Sequence, residues 1–172
     1  MTNGTGAPGG EPALGRWGAG VVSGLVAGVG MGLVLLGTDF FLIVGLLVGL
    51  PGQLGGWVVH LLVSVAFALL FVQIVSQPLL SDYTSPRGGL VGLGVGMGAF
   101  LGLVTGGIVL PVAVDVAGSG DLPVPLLPGL GGGVLFPLRL GIAHLVYGLL
   151  LGAVYQLLVG APRESGLAVG GA

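Results

Sequence analysis

Four long apolar runs, at about 17–37, 54–75, 88–110 and 134–159, are separated by shorter stretches that hold most of the chain's charge. A helix needs about 20 apolar residues to cross the hydrocarbon core of a bilayer, so the pattern predicts four membrane-crossing helices. Between the first two runs lies DFFLIVGLLVGLPGQ, apolar but stopped by Pro51 and Gly52. It is too short for a fifth crossing and reads as an extension of the first helix or as a segment lying in the interface.

Composition supports the same reading. Charged residues make up 6% of the chain, against roughly 25% in soluble domains, so there is too little polar surface to coat a globule in water. With no cysteine, disulfides, thiolate catalysis and Cys-ligated metal are excluded. A net charge of -2 gives no basic face for nucleic acid. The basic residues are Arg16, Arg87, Arg139 and Arg163. Cytoplasmic loops are enriched in Lys and Arg, and Arg16, Arg87 and Arg163 fall on one side of a four-span chain, with Arg139, Asp39, Asp115 and Asp121 toward the other. The expected protein is a multi-pass component of the cell membrane with both termini cytoplasmic. Residues 1–15 and 161–172, rich in Gly and Pro or weakly apolar, read as disordered tails around a membrane domain at 16–160.

The phrase VGMG occurs at Val29–Gly32 and again at Val95–Gly98. Each copy is followed by a second apolar run with a histidine near its start, His60 or His144, and a glutamine near its end, Gln73 or Gln156. The expected fold is therefore all-α: an integral membrane four-helix bundle built from two parallel two-helix repeats, about 16–77 and about 86–160. A pseudo-twofold axis along the membrane normal would relate them. Gly20, Gly24, Gly28 and Gly32 recur every four residues, as do Gly94, Gly98, Gly102 and Gly106, beside a second row of Gly88, Gly92 and Gly96. Such faces let helices approach closely, and van der Waals contact must drive association where lipid removes the hydrophobic force. Chance places some of the 39 glycines four apart; two matching stripes ask for more. Gly148 and Gly152 extend the candidate packing set to the last helix.

Ionisable residues inside spans are functional candidates by default. His60 and His144 occupy equivalent repeat positions and could ligate haem b or a divalent metal, the latter with Asp39 or Asp115. The competing account is that each is a neutral ring bonded to a carbonyl, hydroxyl or water and fixes packing, with no cofactor. The polar residues available to a solute path are Ser23, Thr38, Ser64, Gln73, Thr105 and Gln156. Arg139 reads as an interfacial anchor, or as a partner of a lipid phosphate or Asp115.

Gly56, Trp57 and His60, followed later by His144, Tyr147, Gly148, Gly152 and Tyr155, give the chain a pattern that resembles an uncharacterised family of small four-span bacterial and archaeal membrane proteins, a domain of unknown function. The resemblance runs over about 20–158 and implies the four-span architecture and the paired histidines, but no activity. The expected role is a non-enzymatic accessory or interaction component, packing with the bilayer, itself or another membrane protein. A histidine-ligated redox or metal protein and a small-solute channel or carrier are the alternatives.

Overall fold

The computed structural model describes residues 14–84, 88–116 and 135–159; over these the chain is helical, with no strand. The elements are α1 (Gly15–Val34), α2 (Phe40–Leu47), α3 (Gln53–Val75), a 3-10 turn (Pro78–Leu80), α4 (Ser81–Thr84), α5 (Gly89–Leu101), a π-helical stretch (Gly102–Val109), α6 (Leu110–Val116) and α7 (Leu135–Val159). Four helices are long and apolar enough to cross a membrane: Gly15–Val34, Gln53–Val75, Gly89–Val109 and Leu135–Val159. They coincide with the four apolar runs. Residues 1–13 and 161–172 of the expected tails, with Arg87, Arg163 and Asp121, lie outside the described residues, as does the side chain of Asp115 on α6; Gly15, placed in the expected N-terminal tail, is the first residue of α1.

The segment after α1 is a helix of its own and does not prolong the first. Gly37, at φ +77°, takes the left-handed conformation that lets the chain turn away after α1. At its other end α2 closes in a Schellman motif: Leu50 N–H donates to Gly45 O at 2.9 Å, Gly49 N–H donates to Leu46 O at 3.1 Å, and Gly49 sits at φ +73°. Thus α2 folds onto the first half of α3. Phe41 stacks on Trp57 at 4.2 Å between ring centroids, and Gly56 has no room for a side chain because the Phe41 backbone carbonyl fills that space.

The large helices pack in the series α3–α1–α7–α5. Along α1, a methyl group at Gly20 would stand 2.6 Å from Val72 Cγ2, at Gly24 2.6 Å from Ala68 Cβ, and at Gly28 2.8 Å from Ser64 Oγ, while at Gly32 it would strike the Trp57 ring. This seam sets a smooth helix against side chains. The α5–α7 seam is tighter, because Gly94 and Gly98 face the backbone of Gly148 and Gly152, and Gly148 and Gly152 in turn face the Gly94 and Leu90 carbonyls. A methyl group at Gly102 would stand 3.2 Å from His144 Cβ, and one at Gly106 3.0 Å from Leu140 Cδ2. Gly92 and Gly96 face nothing within 4 Å. The second glycine row therefore points away from the neighbouring helices, and close packing on this helix uses the Gly94, Gly98, Gly102 and Gly106 row.

A pseudo-twofold relating the halves would set α3 against α5 as it sets α1 against α7. The structure makes the α1–α7 contact extensive and the α3–α5 contact slight. Where the series fails to close, a cleft remains.

Candidate functional site: the cleft between α3 and α5

The cleft holds about 380 Å³, within the range of small-molecule pockets, about 300–1,000 Å³. Its walls are apolar: Phe40 and Val44 of α2, Phe67 of α3, and Phe100 and Val104 from the α5 side. Five polar residues also line it, His60 and Ser64 from α3, Thr105 from the π-helical stretch, and His144 and Tyr147 from α7. The two histidines expected at equivalent positions do line one cavity. Their bonding differs.

His60 Nε2 lies 2.9 Å from Gly28 O. A carbonyl only accepts, so the ring hydrogen of a neutral His60 is on Nε2 and Nδ1 carries a lone pair. The absence of a side chain at Gly28 leaves α1 close enough to α3 for the bond to form. Phe40, Phe41 and Trp57 set their rings edgewise to the imidazole at 5.5 to 5.9 Å between centroids. Among the described residues Nδ1 has no hydrogen-bond partner.

His144 is engaged at both nitrogens. Nδ1 lies 2.8 Å from Leu140 O and Nε2 lies 2.9 Å from Thr105 Oγ1, which is itself 2.6 Å from Leu101 O. The hydrogen of a neutral ring belongs on Nδ1, because Leu140 O can only accept; Nε2 then accepts from the Thr105 hydroxyl. That hydroxyl has one hydrogen to divide between His144 and Leu101 O. Thr105 is brought to the histidine by the π-helical stretch, a wider turn than the α-helix and a frequent feature of functional sites. Its surroundings Gly102, Gly106 and Gly107 are poor α-formers, the only sign of the irregularity in the sequence.

Tyr147 crosses from α7 to α3, where its hydroxyl donates to Ser64 O at 2.6 Å. Replacing it by Phe removes one buried neutral hydrogen bond, and the expected loss is about 1 kcal/mol. Equilibrium unfolding in mixed micelles reads this directly; an unchanged midpoint would show that the bond adds nothing to the α3–α7 contact.

The remaining candidates are used elsewhere. Asp39 is exposed where α2 begins and does not line the cleft. Among the described residues no three His, Cys, Asp or Glu side chains are grouped to hold a metal. Arg139 departs from the sequence expectation: Nε and Nη2 each donate at 2.6 Å, to Val34 O and Leu36 O, so it caps the end of α1. Gln156 Oε1 accepts from Gly88 N–H at 3.2 Å beside the start of α5, whereas Gln73 engages through its backbone carbonyl, which accepts from Gln77 Nε2 at 3.0 Å. Of the other path candidates, Ser23 donates to Ala19 O and Thr38 to Leu35 O, both at 2.7 Å. Comparison with known protein families, with curated proteins and with solved structures finds no match to this chain.

Proposed function

We propose that this chain is a multi-pass membrane protein of two parallel two-helix repeats, with both termini cytoplasmic, acting as a non-enzymatic accessory component within the bilayer. The observation that carries the reading is the apolar exterior of the long helices: Leu33, Leu62, Leu103 and Leu145 stand exposed, as a lipid solvent permits and water does not. Glycine seams suit that setting, since close backbone approach replaces the hydrophobic force as the source of association. The shared VGMG phrase and the matched histidines support the repeat.

Topology labelling tests the proposal. A cysteine replacing Ser81 is expected to react with an impermeant maleimide only from the cytoplasmic side, and one replacing Ser119 only from outside. The reverse pattern overturns the orientation, and release of the protein by alkaline carbonate overturns membrane insertion itself.

The alternative of bis-histidine haem or metal ligation fits this arrangement poorly. His144 offers no free nitrogen lone pair while bonded to Leu140 and Thr105, and His60 has only Nδ1 to give. The purified protein is expected to be colourless, and His144→Gln to change its stability rather than its spectrum. A Soret band lost on replacing either histidine would establish the redox reading instead.

A further inference from the structure

We propose that the cleft between α3 and α5 is a binding site for a lipophilic molecule bearing a hydroxyl group, reached from the bilayer and recognised by His60 Nδ1 and Ser64 Oγ. The proposal rests on the membrane reading above. Its starting point is a pair of polar atoms with nothing to bond. His60 is 6% exposed and Ser64 4%, yet neither His60 Nδ1 nor Ser64 Oγ has a hydrogen-bond partner among the described residues. Ser23 and Ser76, by contrast, donate back to the carbonyl four residues earlier, each at 2.7 Å. No unpartnered polar side-chain atom among the described residues is fully sealed, and both residues line the cavity, with Ser64 Oγ set at its edge beside the bare backbone of Gly28 on α1.

The chemistry of the pair selects the ligand. Nδ1 is an acceptor because Nε2 holds the ring hydrogen against Gly28 O, so the ligand group must donate. Ser64 Oγ has a hydrogen to give, and the two residues are four apart on α3 and share one face. A hydroxyl satisfies both at once, donating to His60 and accepting from Ser64. A carbonyl or an ether offers no donor. Around the pair the walls are hydrocarbon and aromatic, which suits an apolar body and leaves a charged head without a counter-ion. His144 and Tyr147 face the same space with their polar groups already committed to protein partners, which leaves recognition to α3.

Access follows from the packing. α3 and α5 are the ends of the helix series and scarcely touch, so in a bilayer the gap between them opens to lipid. A chain attached to the hydroxyl head can remain in the hydrocarbon while the head occupies the cleft. Aliphatic and phenolic alcohols share this chemistry and are separated by the choice of probe.

The full-length protein in phosphatidylcholine vesicles would be photolabelled with a diazirine-bearing long-chain alcohol, its methyl ether, and the corresponding phenol, with adducts located by mass spectrometry. The expected result is saturable labelling at Phe100 and Val104, with the alcohol or the phenol favoured over the ether by roughly 3- to 10-fold, the worth of one buried hydrogen bond. Whichever of the two is favoured more identifies the source. Ser64→Ala leaves the backbone carbonyl that Tyr147 uses and is expected to reduce the preference. Equal labelling by alcohol, phenol and ether overturns hydroxyl recognition, and non-saturable labelling or none at the cleft overturns the site. A small uncharged diazirine free in the bilayer provides the separate control: its failure to reach exposed Leu62 and Leu103 would sink the membrane reading, whereas labelling there without labelling in the cleft sinks the ligand proposal alone.

Discussion

Gly148→Leu is expected to separate α5 from α7 and cost about 3 kcal/mol or more, the upper part of the range for overpacking a close contact. The reason lies in what the new side chain would meet. A β-carbon at Gly148 would run into the Gly94 carbonyl oxygen and stand 3.0 Å from Gly98 Cα. These are backbone atoms of a facing helix and cannot swing aside as a flexible side-chain terminus can. Even Gly148→Ala should destabilise, since the helices must part before the methyl fits. The controls are Gly92→Ala and Gly96→Ala, which meet nothing within 4 Å and should gain up to about 1 kcal/mol from the better helix propensity of alanine. Unfolding of the four variants in mixed micelles separates the cases: one common effect for all would mean that glycine acts by composition and not through a contact face.

That contrast shows what the sequence made legible. Four apolar runs announced four helices because length and hydropathy are local properties, and each run became one long helix. The glycine period pointed to the Gly94, Gly98, Gly102 and Gly106 row as a packing face, but not to the depth of the approach, which depends on Gly148 and Gly152 facing it from another helix. The histidines were conspicuous as the two imidazoles in apolar surroundings, and both line the cleft. Their unequal bonding was not legible, because it depends on Gly28 of another helix in one case and on the π-helical turn around Thr105 in the other. The cleft was hidden for the same reason. A repeat predicts two equivalent contacts between halves, and nothing in the apolar pattern says that α1–α7 will be extensive and α3–α5 slight.

Arg139 gives the second large effect. Its guanidinium joins residues more than a hundred positions apart by donating to Val34 O and Leu36 O, both at 2.6 Å. A helix leaves its last carbonyls without intrahelical donors, and its C-terminal end carries partial negative charge, so a fixed cation there satisfies both conditions. The chain has further need of a fixed end at this point, because Gly37 follows at once and redirects the backbone into α2. Arg139→Gln keeps some reach but loses the charge and the fork geometry. The expected cost is about 1–3 kcal/mol, kept at the modest end for a hydrogen-bonded charge because Arg139 is exposed. Lysine should recover part of it, since an ammonium supplies charge without the planar fork. Hydrogen exchange locates the effect: amides over 35–43 should exchange faster in Arg139→Gln, while those at the α5–α7 seam remain as protected as before. Uniform acceleration would assign Arg139 to global stability, and no change would show that α1 ends as it does without the cap. The same bonds bear on orientation. Arg139 was the one arginine on the far side of the proposed topology, and a guanidinium committed to the last α1 carbonyl, Val34 O, and the turn carbonyl Leu36 O has a structural reason to be there that does not depend on which side of the membrane it faces.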